Sequence, residues 1–303
     1  MKNGLLMTKD KTNILFVSSK KLGTGNVFKI PEGVKKINTN LSGYTNIENL
    51  IIPESFEDIE AKNLPIYLKN IEVNENNKSL TVENECLYTK DKKTLIVCFD
   101  QDETVELSNV LENICDYAFR LARNLKVINL PDSVFSIGGQ AFSSNSNLET
   151  LTIGKNANKI NPIFKYQNYS GKVIIDSQNP NYAIEDNLLF NKDKTELISV
   201  LKEINGKFIV PSTVTKIGDS AFHNQNKMTE VELPQGLKSI GNSFNYCSNL
   251  VEINIPNTVE SIGNNCFSNS ENLDKIKIDN SKDKIQGAPW GAVKGNRIIE
   301  WLK

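Results

Sequence analysis

Apolar and polar positions alternate along this chain in short runs, and each run ends at a proline or at a small or polar residue. Leu250-Val-Glu-Ile-Asn-Ile-Pro256 is one of them. With a period of two, Ile253 and Ile255 fall on one side and Glu252 and Asn254 on the other. Pro256 ends the strand because it has no N–H to give to a neighbouring ladder. Val259-Glu-Ser-Ile262 is a second, shorter apolar alternation. Gly263 then predicts a sharp corner, since glycine tolerates backbone angles that other residues avoid. Cys266-Phe267 sets a small and a large apolar residue inward, and Asn264, Asn265, Ser268 and Asn269 suit turns and end capping.

The unit recurs. Pro211 to Phe222 followed by Met228 to Pro234 has the same layout, with apolar residues at Val214, Ile217, Ala221, Phe222, Met228, Val231 and Leu233. Runs end at Pro31, Pro53, Asn74, Ser108, Pro131, Gly154, Asp176, Pro211, Pro234, Pro256 and Asp279, mostly at intervals of 21 to 23 residues. Two intervals are longer, 34 residues from Asn74 and 35 from Asp176, and both contain the same insertion. Its second half, Leu87-Tyr-Thr-Lys-Asp-Lys-Lys-Thr-Leu-Ile96, reads strand, polar turn, strand. A third copy lies at Leu6–Leu15, so β-hairpins are expected near 4–16, 80–98 and 182–200. One short repeat cannot bury its apolar side alone, but stacked copies can, at roughly 4.8 Å per strand.

The pattern IGxxAF…LxxVxLP, at Ile217–Pro234 and Ile137–Ile153 and in variant form at Ile262–Ile278, resembles the BspA-type (Treponema pallidum-type) bacterial leucine-rich repeat. Asn245-Tyr-Cys-Ser-Asn-Leu250 resembles that family's segment with a cysteine just before the repeat leucine. The hairpin at Asn179–Ile198 resembles an extension found in many members. The likeness covers nearly the whole chain. It implies a mainly β leucine-rich-repeat solenoid, with a parallel sheet on its concave face and short helical or irregular segments elsewhere. The family is largely one of bacterial surface and adhesion proteins, which implies binding without naming a ligand. Residues 31–73 depart from the pattern by lacking IGxxAF, 108–131 by carrying Ile114-Cys115 in place of IG, and 154–175 by having Asn161 to Gly171 in the second half. After Asp279 the pattern stops. A single solenoid over 1–279 and a C-terminal cap over 280–303 are therefore expected, with Trp290 and Trp301 covering the last core face rather than serving as ligand aromatics.

Composition removes several function classes. In 303 residues the net charge is −1, which gives no electrostatic case for nucleic acid or an anionic membrane. No run approaches the roughly eighteen apolar residues of a spanning helix. The first ten residues are not a secretory signal. Met1 aligns with Val82 and Ile184, inside a hairpin, so the expectation is a surface or secreted protein that is part of a longer precursor.

Five cysteines without a CxxC pair indicate neither a disulfide framework nor a zinc site. Cys86, Cys98, Cys247 and Cys266 read as small buried apolar residues. Cys115, at the place of Gly218, is the least explained. The single histidine, His223, reads as a solvent-exposed turn residue. The Lys-Asp-Lys turns at Lys9, Lys90 and Lys192 read as turn chemistry. Asp100-Gln-Asp-Glu103 is too small for a calcium loop, and Gly23-Thr-Gly25 is weak as a phosphate loop. No enzyme, cofactor or metal site is indicated.

The remaining candidate is a surface made of the strand positions that alternate with the core, on the concave side if the family geometry holds. In chain order these are Asn49 and Ile51, Asn70 and Glu72, Glu106, Val127 and Asn129, Thr150 and Thr152, Ile174, Ile209, Glu230 and Glu232, Glu252 and Asn254, and Lys275 and Lys277. The favoured ligand residues are Val127, Asn129, Thr150, Thr152, Ile174 and Ile209, which are neutral, and Glu230, Glu232 and Glu252, which are acidic. A competing reading treats adjacent Glu and Lys as cross-strand pairs and the threonines as good strand residues. The expected function is a monomeric, non-enzymatic binding or adhesion module for a protein or glycan, without membrane insertion. The alternative is a structural or receptor-binding component of a phage tail-like particle.

Overall fold

A computed structural model describes residues 5–18, 25–99, 101–161, 171–281 and 284–302. Gly23 and Thr24 of the GxG stretch, Asp100 of the acidic run, most of the segment Asn161 to Gly171, and Met1 lie outside the described residues. The chain divides into two compact units, Met1–Ile163 and Phe164–Lys303.

Each unit is a parallel β-solenoid with two ladders. In the second unit the long strands Gly206–Ile209, Met228–Glu232, Glu252–Ile255, Lys275–Ile278 and Ile299–Trp301 pair in parallel in chain order. A second ladder joins Glu196–Val200 to the two-residue strands Lys216–Ile217, Ser239–Ile240 and Ser261–Ile262. The sequence pattern places a sheet on one face only. The short ladder is an addition, because two residues are too few to show an alternation. In the first unit Val27–Lys29, Asn49–Ile52 and Asn70–Val73 form one long-strand group, and Val127–Asn129 with Thr150–Ile153 another. Its short ladder runs from Thr94–Cys98 through Asn113–Ile114 and Ser136–Ile137 to Lys159–Ile160.

Isoleucines of both ladders meet in the core. Ile217, Ile240 and Ile262 from the short strands share one buried cluster with Val231, Ile253 and Ile276 from the long ones. The phenylalanine at the second position of the AF pair, which becomes Ser243-Phe244 and Cys266-Phe267 in later copies, stacks on its copy one turn away. Phe222 and Phe244 have ring centroids 4.8 Å apart, Phe244 and Phe267 5.9 Å, and Phe119 and Phe142 4.8 Å. Three residues after that phenylalanine, a buried side chain caps carbonyls of the previous turn. Asn145 Nδ2 donates to Phe119 O and Ala122 O, Ser270 Oγ to Phe244 O, and Cys247 Sγ to Phe222 O at 3.1 Å. Cys247 is therefore a weak donor in a stack of polar side chains and not merely an apolar filler.

Three expectations change. The glycine of the IG pair does not take a left-handed backbone: Gly138, Gly218, Gly241 and Gly263 all lie outside that region, which is occupied two residues later by Gln140 and Ser220. What excludes a side chain is the neighbouring turn. A Cβ on Gly263 would stand 2.6 Å from Asn242 Oδ1 and 2.7 Å from Asn242 N. Gly218 and Cys115 each follow a hairpin insertion instead of a repeat, and the Gly218 Cβ would meet nothing nearer than Leu197 O at 3.3 Å. That extra room explains how cysteine replaces glycine at 115.

Cys86 and Cys98 form a disulfide. They face each other across the antiparallel strands Cys86–Thr89 and Thr94–Cys98. The Cys98 N–H turns away to Ala118 O, which leaves a pair without mutual hydrogen bonds, where side chains come closest. Sequence spacing hid this because the second insertion carries apolar Leu188 and Val200 at the same places, paired in the same register.

The insertions at 80–98 and 182–200 are three-stranded meanders rather than hairpins, with an added tight turn at Asn84-Glu85 and Asp186-Asn187 in which both residues have positive φ. At the C-terminus the sequence pattern ends but the long ladder continues into Ile299–Trp301. Trp290 is fully buried with its ring centroid 6.3 Å from that of Trp301.

Candidate ligand-binding face

The outward positions of the long strands line up turn over turn, since parallel strands in register carry equivalent side chains to the same side. In the unit Met1–Ile163, Val127 stands opposite Thr150 and Asn129 opposite Thr152. Thr104 continues the Val127 row through an isolated parallel bridge. Val127, Thr150 and Thr152 are half-buried and Asn129 is exposed. The face is neutral there, with a hydroxyl pair beside an amide.

In the unit Phe164–Lys303 the face is charged and ordered. Lys207 stands opposite Glu230, Glu230 opposite Glu252, and Glu252 opposite Lys275. The next row runs Ile209, Glu232, then Asn254, Lys277 and Glu300. Lys207 Nζ reaches Glu230 at 2.9 Å and Glu232 at 3.1 Å, Lys277 reaches Glu252 at 2.5 Å, and Lys275 reaches Glu300 at 3.0 Å. The hydrogen bond from Lys277 holds the Glu252 carboxyl below the usual glutamate range. Hydrogen bonds to Glu230 and then Glu232 raise the Lys207 ammonium above its ordinary value.

Sequence reasoning missed Lys207, as it did Thr104 and Glu300. The strand that carries Lys207 opens on a register shift between Gly206 and Lys207, which obscures the alternation. Beside this charge network Ile209 is 62% exposed, the largest exposure among the protein's bulky apolar side chains in its ladder. Ile174 is exposed on Lys172–Ile175, a strand outside that five-stranded ladder. Val127, Asn129, Thr150 and Thr152 thus come together in one unit, and Ile209, Glu230, Glu232 and Glu252 in the other.

The reactive-residue candidates are accounted for by packing. Burial pushes the Cys115 thiol up to about 11 and the Cys247 and Cys266 thiols up to about 12, so all three stay protonated at neutral pH. His223 is not the exposed turn residue expected. It is half-buried, with Nδ1 donating to Asn245 Oδ1 at 2.6 Å and its ring edge-on to Tyr246. In the Lys-Asp-Lys turns Asp10 and Asp91 accept from the N–H two residues on. Among the described residues no His, Cys, Asp or Glu cluster could hold a metal ion, and no helix is long and apolar enough to cross a membrane.

Comparison with solved structures places the chain beside bacterial leucine-rich-repeat proteins. One from Eubacterium ventriosum is 19% identical with a TM-score of 0.49. The match covers 86% of this chain but only 61% of that one, so this chain spans less than two thirds of its length. The pneumococcal vaccine antigen PcpA is 18% identical over 91% of this chain and 82% of its own, TM-score 0.49. A leucine-rich cell surface protein of Faecalibacterium prausnitzii is 16% identical over 99% and 93%, TM-score 0.49. No curated protein matches the sequence. The description "BspA type Leucine rich repeat region" matches in six copies, over residues 16–100, 97–206 and 201–288. With that coverage, and with the stacked IGxxAF turns behind it, the chain belongs to the BspA-type leucine-rich-repeat family.

Proposed function

We propose that the chain is a non-enzymatic adhesion module of a bacterial surface, acting as a monomer and presenting the outer face of its long-strand ladders to a protein ligand. Membership of a repeat family made up largely of surface and adhesion proteins supports this reading. The observation that carries it is Ile209, 62% exposed and flanked by the Lys207–Glu230–Glu232 network. An apolar residue ringed by ordered charges is the arrangement of a contact centre with a polar rim. The stacking of the repeat demands no side chain at these positions, so they are open to selection for a partner.

The charge pairs are exposed and mutually satisfied, so each one alone contributes little. Ile209 is therefore the sharper probe. Full-length protein immobilised for interferometry against a panel of host matrix and cell-surface proteins should yield a saturable partner. Ile209→Asp should weaken that partner by about tenfold or more. Glu230→Lys combined with Glu232→Lys should slow association and change its salt dependence. A partner bound equally well by all three proteins would show that this face is not the ligand surface.

A further inference from the structure

The unit Met1–Ile163 carries a second feature, on its short-strand ladder. A cleft of about 500 Å³ opens over the outward positions of the short strands. Along its floor Thr94, Asn113, Ser136 and Lys159 follow one another in parallel register. Ile96 and Cys115 form a less polar inner row. One wall is the segment Glu57–Lys62, which arginines from a distant repeat hold in place. Arg120 Nη1 donates to Ala61 O at 3.1 Å and to Lys62 O at 2.6 Å, and Arg123 Nη2 donates to Ile66 O. The second unit has His223 at the place of Arg120, and its corresponding groove is lined by floor residues alone. The cleft in the first unit is therefore built and does not follow from the repeat itself.

Its chemistry is balanced. Of the carboxylates around it, Glu57, Asp58 and Glu60 are paired with Lys35, Lys36 and Lys62. That leaves Asp116 and Lys159, whose charges cancel. Hydrogen-bonding capacity remains open on both sides. Asn113 Oδ1 accepts from Ser136 Oγ at 2.8 Å and Asp116 Oδ1 from Gly139 N at 2.6 Å. Asn113 Nδ2, the second Asp116 oxygen and the Tyr117 hydroxyl carry no hydrogen bond among the described residues. The Tyr117 ring packs on the core cluster that contains Ile59 and Ile96, so an apolar surface adjoins these polar groups.

We propose that this cleft binds one or two residues of a neutral saccharide. A sugar ring presents hydroxyls that donate and accept around its edge and C–H groups on its face, and the lining offers amide, carboxylate and phenol groups beside Tyr117 and Ile96. The volume lies within the roughly 300–1,000 Å³ of small-ligand pockets. The rival occupant is the ammonium side chain of a basic peptide, drawn by Asp116.

Cys115 supplies the test, because it lies in the cleft while Cys247 and Cys266 are buried and Cys86 and Cys98 are joined. The full chain is screened by saturation-transfer NMR against glucose, galactose, mannose, N-acetylglucosamine, their disaccharides, and Nα-acetyl-lysine amide. Modification of Cys115 by a methanethiosulfonate is then timed with and without each binder. At least one saccharide should bind saturably and slow modification severalfold. Asn113→Ala and Tyr117→Asn, the latter chosen because asparagine tolerates the φ of 61° found there, should each weaken it by about tenfold. Ile209→Asp should leave it unchanged. Absence of saccharide binding, binding that neither protects Cys115 nor responds to Asn113→Ala and Tyr117→Asn, or protection by the lysine amide alone would each overturn the proposal.

Discussion

Gly241 packs against Asp219 of the preceding turn so closely that a Cβ added to the glycine would stand 2.6 Å from Asp219 Oδ1 and 2.8 Å from Asp219 N. The same carboxylate oxygen accepts a hydrogen bond from Asn242 N at 2.7 Å, so it cannot retreat without losing that bond. At Gly218, one turn earlier, an added Cβ would meet nothing nearer than Leu197 O at 3.3 Å. Gly241→Ala should therefore cost about 3 kcal/mol and Gly218→Ala about 1 kcal/mol or less. Urea unfolding midpoints, compared between the two variants, decide the matter. Equal midpoints would show that the glycine is kept for some reason other than contact between turns.

Cys247 donates to Phe222 O from the place where Ser270, one turn later, donates to Phe244 O. Cys247→Ser should therefore keep the carbonyl satisfied and shift stability by less than about 1 kcal/mol. Phe222 O also accepts from Gln225 N at 3.3 Å, so Cys247→Ala removes one of its two hydrogen bonds, leaves a small void, and should cost about 1–2 kcal/mol. Thermal unfolding of the two variants gives the ranking, and an alanine variant as stable as the serine would mean that the sulfur only fills space.

The solenoid was legible because a proline-terminated alternation recurring every 21 to 23 residues has few other solutions. Outward positions such as Glu230 and Glu232 were legible for the same reason, since a period of two assigns a side to every residue. Other features depend on contacts that leave no local trace. Lys207 was hidden behind a register shift at its strand's start. The glycine corner was misread because a need for positive φ and a need for close approach both select glycine. The wall of the cleft joins Arg120 to Ala61, 59 residues away, across an inserted meander, and no spacing rule reaches that far.

The two meanders compare a covalent with an apolar solution at one site. Cys86 faces Cys98 in the first, and Leu188 faces Val200 in the same register in the second. The double variant Cys86→Leu with Cys98→Val should fold and lose about 1–3 kcal/mol, the contribution of a short disulfide loop less the added packing. Wild-type protein should lose a similar amount under reducing conditions while the double variant is unaffected. A double variant that fails to fold would show that the two insertions are not equivalent.

Exposed ion pairs set the acid response. Hydrogen bonds from Lys69 and Lys277 hold the Glu48 and Glu252 carboxyls below the usual glutamate value of 4.5, and Lys155 does the same to Asp132. A carboxyl with a lowered folded pKa binds fewer protons folded than unfolded. Its contribution is complete above the unfolded value and is lost as pH falls through the folded one. Urea midpoints should stay level from about pH 6 to 5 and fall below about pH 4.5, with a smaller fall in about 0.5 M salt. Lys277→Met should make that fall shallower. An unchanged fall would mean that Glu252 is held by other groups, Lys275 and Asn254 among them.

Arg120 is the test of the cleft as architecture, whatever binds there. Its guanidinium donates to Ala61 O and Lys62 O, and burial lowers its affinity for a proton without removing its charge. Replacing it with alanine strands Lys62 O, leaves Ala61 O with its bond from Leu64 N alone, and removes charged hydrogen bonds that contribute about 1.5–3 kcal/mol each. Water can reach part of this site, so the larger effect should be local: Glu57–Lys62 loosens and Cys115 becomes accessible. Methanethiosulfonate should then modify Cys115 of Arg120→Ala severalfold faster than in wild type, with little change in the far-ultraviolet circular dichroism. Arg120→Lys, which keeps the charge but cannot reach both carbonyls in a fixed fork, should fall between the two. An unchanged rate in Arg120→Ala would mean that the wall stands on its own packing, through Ile59 and Leu64, and that the arginine is incidental to the cleft.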